Sequence, residues 1–135
     1  MAGFDFVLDG TDNFDTRYLV NRACVTAGVP LISGALSQWE GQVAVFDPAH
    51  GAPCYECIFP SAPDPSLAPS CAEGGVFAAL PGIVGTMMAA EVMKIITGAG
   101  EPLSGRMLIY DALDAQTRVM KIKKRADCPV CGEDK

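Results

Sequence analysis

Apolar and polar positions change period several times along this chain, and each change marks an element. Phe6-Val7-Leu8 is a short, nearly continuous apolar run, the pattern of a parallel strand buried on both faces. Asp9-Gly10-Thr11-Asp12-Asn13 follows, polar and turn-forming, with Asp12 or Asn13 placed to cap a helix. From Thr16 to Ala27, Leu19, Val20, Ala23, Cys24 and Ala27 recur at helical spacing, and Gly28 ends the helix. Val29 to Ser33 is a second apolar run, so strand, helix and strand form a βαβ unit. Gln42 to Asp47 alternates with a period of two and predicts a strand entered through a glycine turn.

Residues 47 to 75 carry Pro48, Pro53, Pro60, Pro63, Pro65 and Pro69 with few apolar residues, a loop long enough to be functional or mobile. Val76 to Thr97 predicts a helix, broken or begun near Pro81 and stopped by Gly98-Ala99-Gly100. Its Met87, Met88, Val92 and Ile95 are expected to face a partner subunit or a further part of the protein. Arg106 to Asp111 and Arg118 to Lys123 predict two strands joined by a short turn. Together the elements predict an α/β fold in one domain without repeats. Phe4 to Leu8 is expected to be an interior strand of a larger sheet, with a parallel neighbour on each side, and to be left in this chain as a flat apolar edge through which it self-associates.

Composition narrows the function. Of 135 residues half are hydrophobic and 19% charged, enough for a buried core. The net charge of −6 argues against a nucleic-acid partner, because phosphate binding favours a basic face. Lys121, Lys123, Lys124 and Arg125 alternate with apolar residues and read as the solvated face of a strand. The longest uncharged stretch, Gly74 to Ala90, contains Pro81, Gly82 and Gly85. It is shorter than the roughly 20 apolar residues of a membrane span, so a buried helix is expected and no membrane. No basic segment precedes the first strand, and a cytoplasmic location is expected.

The six cysteines include two matched pairs, Cys54-x-x-Cys57 and Cys128-x-x-Cys131. In a chain without a secretory signal, paired CxxC reads as metal, here structural zinc. The alternatives are buried free thiols and a redox disulfide. A redox CxxC should open a helix with a lowered thiol pKa, whereas Cys54 stands before a proline-rich loop. Asp12 lies beyond the carboxyl end of an expected parallel strand, where open α/β sheets bind ligands. It could hold Mg²⁺, and Arg17 one turn into the helix could reach a phosphate. The plainer reading is a capping aspartate beside a surface arginine. Cys71, in a loop before a helix, is either a nucleophile or an ordinary loop cysteine. His50 is the only histidine and reads as a surface residue.

The segments DFVLDGTDNFDTRYLVN, VPLISGALSQWEGQVAVFDP, PCYECIF, SCAEGGVFAALPGIVGTMMAAEVMKII, LIYDALDAQTR and CPVCG, in this order, resemble the MoeB/ThiF family, the bacterial relatives of ubiquitin-activating enzymes. The resemblance implies the C-terminal half of a Rossmann-like mixed sheet with flanking helices, a zinc site of four cysteines and C-terminal antiparallel strands. Residues 1–135 would form one partial domain without the N-terminal nucleotide-binding half. No G-x-G-x-x-G occurs in the chain.

The implied activity is ATP-dependent adenylation of the C-terminal glycine of a ubiquitin-like sulfur carrier, for molybdopterin or thiamine synthesis, by a homodimer. Asp12 would be the aspartate at magnesium and ATP, with Asn13 and Arg17 its neighbours at the nucleotide. Cys54, Cys57, Cys128 and Cys131 would hold zinc, and Cys71 would match a loop cysteine that some members use covalently. Two other readings stand beside this one. One is a zinc-stabilised module that docks a ubiquitin-like tail through its loop and hairpin without chemistry. The other is a thiol oxidoreductase.

Overall fold

The computed structural model describes residues 3–61 and 75–132. One mixed sheet organises them, with five strands in the order β1-β2-β3-β4-β5. These are β1 (Val7–Asp9), β2 (Leu31–Ser37), β3 (Glu40–Phe46), β4 (Arg106–Asp111) and β5 (Gln116–Lys121). β1 runs parallel to β2, and every other pairing is antiparallel. Helix α1 (Phe14–Ala27) makes the crossover from β1 to β2. A short 3-10 turn (Pro48–His50) and the four-residue helix α2 (Tyr55–Ile58) follow β3, and α3 (Leu80–Thr97) precedes β4.

Strand alternation explains the apolar runs. Leu31, Ala44, Phe46, Met107 and Ile109 point to one face, where Cys24 of α1 and Tyr55 of α2 meet them. Ile32, Val43 and Val45 point to the other, under Leu80, Val84 and Met88 of α3. A strand covered on both faces needs apolar residues at every position. α3 approaches two strands at glycines. A Cβ at Gly34 would collide with the Met88 thioether, and one at Gly41 with the Val84 side chain.

Several expectations are corrected. β1 is Val7–Asp9, shorter than the expected Phe4 to Leu8, and it pairs on one side with Phe4 68% and Leu8 46% exposed, the open edge expected of this chain. Among the described residues no second parallel neighbour supports it. α1 begins at Phe14, and its Leu19 points to solvent while the polar Asn21 is buried. α3 begins at Leu80, one residue before Pro81, because a proline is tolerated in the first turn. Met88 is buried against the sheet, and Met87, Val92 and Ile95 pack on the same cluster rather than facing outward. The outward face carries Ala89, Ala90, Met93 and Ile96, so among the described residues α3 is covered on one side only. By length and composition alone this helix could cross a membrane, yet its inner face is committed to the sheet. β5 is exposed at all six positions and ends at Lys121, so Lys123, Lys124 and Arg125 lie beyond it.

Candidate functional site

The four-cysteine knuckle is built from two turns 74 residues apart in the chain. Cys54 stands at the N-cap of α2, and the Cys57 N–H donates to the Cys54 carbonyl at 3.1 Å. The second turn is tighter. The Gly132 N–H donates to the Cys128 carbonyl at 2.9 Å, and a Cβ at Gly132 would strike backbone atoms of Cys128 and Ala126. Glycine is required there by close approach. Sulfur separations are 3.7 Å for Cys54–Cys128, 3.9 Å for Cys54–Cys57 and 3.3 Å for Cys57–Cys131. A tetrahedral zinc site with zinc–sulfur bonds of about 2.3 Å would space its sulfurs by about 3.8 Å. All four thiols are buried, and their sulfurs lie within 4.8 Å of one another. The four cysteines could hold a metal ion, and the all-sulfur donor set fits zinc.

Burial pushes the Cys54 thiol up to about 11, against the pull of hydrogen bonds from Asn21 and Cys131. Cys128 is also desolvated, but the backbone N–H groups of Cys131 and Val130 bring it down to about 7. Cys54 therefore does open a short helix, contrary to expectation, yet its thiol is shifted away from the reactive range of a redox CxxC.

α1 holds this knuckle in place. The Asn21 amide oxygen accepts the Tyr55 N–H at 2.9 Å, and its Nδ2 donates to Glu56 at 3.3 Å. Arg22 donates through Nε and Nη2 to both Glu56 oxygens at 3.1 and 3.0 Å, and the Tyr18 hydroxyl donates to the Phe59 carbonyl at 2.7 Å. Tyr18, Arg22, Glu56, Pro60 and Ser61 border an open hollow of about 380 Å³. Sequence reasoning missed this brace. Its signals were an asparagine one turn before Cys24, on the face α1 buries, and a glutamate set between two cysteines.

The second region is the turn between β1 and α1. Asp9 is only 4% exposed, and its Oδ1 accepts the Thr11 N–H at 2.8 Å. Among the described residues, Asp9 Oδ2 and Thr11 Oγ1 are buried without a partner. Asp12 is exposed, and among the described residues its carboxylate makes no hydrogen bond or ion pair. Asn13, not Asp12, is the cap: its Oδ1 accepts the Thr16 N–H at 2.8 Å. Arg17 donates through Nε and Nη2 to the Thr11 carbonyl at 3.2 and 3.0 Å, with its guanidinium carbon 5.2 Å from the Phe14 ring centre. Burial raises the Tyr55 hydroxyl pKa, and the adjacent Arg17 guanidinium opposes that rise. The structure thus brings Asp12, Asn13 and Arg17 to one turn and the four paired cysteines to one cluster. Cys71 lies outside the described residues. His50 is exposed on Asp47, at 2.9 Å.

These features define a class, a mixed α/β sheet with an open polar turn beyond its parallel strand and a buried four-cysteine knuckle. The chain belongs to the ThiF family, whose model matches residues 1–130. It is 52% identical over 135 residues to the sulfur carrier protein adenylyltransferase of Thermus thermophilus, a match covering 97% of this chain and 50% of that protein. It is 47% identical over 133 residues to the SAMP-activating enzyme E1 of Haloferax volcanii, covering 98% of this chain and 48% of the relative. The chain therefore spans about half the length of these relatives. The fold is also that of E. coli MccB, with a TM-score of 0.78 at 22% identity over 97% of this chain and 40% of MccB.

Proposed function

We propose that this chain is the C-terminal half of an ATP-dependent adenylyltransferase that activates the C-terminal glycine of a ubiquitin-like sulfur carrier. The observation that carries the reading is the match to sulfur carrier protein adenylyltransferase along nearly the whole chain, with Asp12 left free at the carboxyl end of β1. In the reaction a carrier carboxylate oxygen bonds to the α-phosphorus of ATP, the bond to the β-phosphate oxygen breaks, and pyrophosphate leaves. A magnesium ion, when bound, would offset phosphate charge along that path.

Asp12 would hold that ion, since an exposed carboxylate without a partner suits a hard cation. Asn13 fixes the start of α1, so its part is to set where Asp12 points. Zinc at Cys54, Cys57, Cys128 and Cys131 would be structural, because a closed tetrahedron of four thiolates leaves no open position for substrate. A cytoplasmic homodimer completes the reading, and the uncovered face of α3, with Met93 and Ile96, is compatible with a subunit contact.

A docking module without chemistry is the second reading, favoured by the full exposure of β5 with Val119 and Met120 outward. Pyrophosphate exchange by the full-length protein separates the two. Label should pass from pyrophosphate into ATP only when a carrier with its C-terminal glycine is present. No exchange with any such carrier, or exchange that persists after that glycine is removed, would overturn the adenylation reading.

A further inference from the structure

The Thr11 peptide group is gripped from both sides. Its N–H is taken by Asp9 and its carbonyl by two donors of Arg17. Asp12, one residue on, is held by nothing of its own, so where its carboxylate points depends on this grip. Arg17 is not free in turn. Its guanidinium packs on Phe14 and spends two N–H groups on one carbonyl. Tyr55 sits between the knuckle cysteines Cys54 and Cys57. It is only 4% exposed, and its ring is fixed edge-on by Tyr18 and Phe46, at 5.6 and 5.7 Å. Ring contacts therefore run from Tyr55 through Tyr18 to Phe14, on which Arg17 lies.

We propose that Arg17 is a positioning residue, acting on the Asp12 turn through the Thr11 carbonyl rather than on phosphate. This rests on Asp12 being the cation-binding aspartate of the adenylation reading. Arg17 sets how well the turn takes a cation, and has little influence on how well phosphate binds without one.

Titration of ATP into the full-length protein, without carrier and at a series of Mg²⁺ concentrations, tests it. Arg17→Gln should raise the Mg²⁺ midpoint about tenfold, the scale of one charge-assisted hydrogen bond, and leave metal-free ATP binding within about twofold. In an Asp12→Asn background, Arg17→Gln should change nothing further, because the two act as a unit. A fall in metal-free ATP affinity on Arg17→Gln with an unmoved Mg²⁺ midpoint would overturn the proposal and make Arg17 a phosphate contact. An unmoved midpoint on Asp12→Asn itself would instead overturn the assignment of Asp12.

Discussion

The four-cysteine knuckle and the Asp12 turn are finished to different degrees. In the knuckle every functional group is buried, each cysteine faces another, and α1 supplies hydrogen-bonding side chains to α2 and the residue after it. In the turn the backbone is fixed, but Asp12 is exposed and, among the described residues, two buried oxygens have no partner. A buried polar atom without a partner costs free energy, so the second region carries a cost that the first does not. A structural site needs a complete shell, whereas a catalytic site must leave its reacting groups free for substrate.

Breaking the knuckle should have the largest effect. Cys128→Ser removes one thiolate from a four-sulfur set, and a structural metal contributes its binding energy directly to folding. Zinc content should fall from one per chain to near zero, with a melting temperature lowered by about 10 °C or more by calorimetry. Next comes the brace. Asn21→Ala leaves the Tyr55 N–H and the buried Glu56 carboxylate short of a partner, which should cost roughly 2 kcal/mol in denaturant unfolding. Arg22→Ala should cost much less, since that side chain is 64% exposed. If the two variants cost the same, Glu56 is held by Arg22 and not by the buried amide.

Much of this contrast is visible in the chain itself. Paired CxxC spacing identifies thiol ligands whatever the fold, because the turn alone sets two sulfurs side by side. Apolar runs located the strands because both sheet faces are covered. Sequence reasoning failed where the decision belongs to tertiary contact. Leu19 fits the helical period of α1, yet the buried position falls to Asn21, whose amide meets the α2 backbone. Met87, Val92 and Ile95 suggested an outward face, but an apolar helix gives no sign of which side the sheet covers. The charge of Arg17 is legible in the sequence, whereas its engagement with a carbonyl six residues back is not.

Asp12→Ala should separate function from folding. With its carboxylate exposed and unpaired, its stability cost should stay within about 0.5 kcal/mol, while carrier-dependent exchange in the full-length protein is abolished. A large stability loss would make it a structural residue like Asn13. The smallest effect concerns His50. Hydrogen bonding to Asp47 and its charge raise the imidazole pKa above 6.5. A raised folded-state pKa means that the pair's stabilisation is present below about pH 6.5 and is lost as pH rises through the folded value. An NMR titration should place His50 above 6.5, and Asp47→Asn should return it towards that value.

Native mass spectrometry of the isolated chain, sprayed from a solution containing zinc and Mg·ATP, addresses the contrast most directly. The account predicts one zinc per chain and no retained nucleotide, because the knuckle is complete within these residues and the Asp12 turn offers a single free carboxylate. Zinc-free chains, or chains carrying stoichiometric ATP, would contradict it.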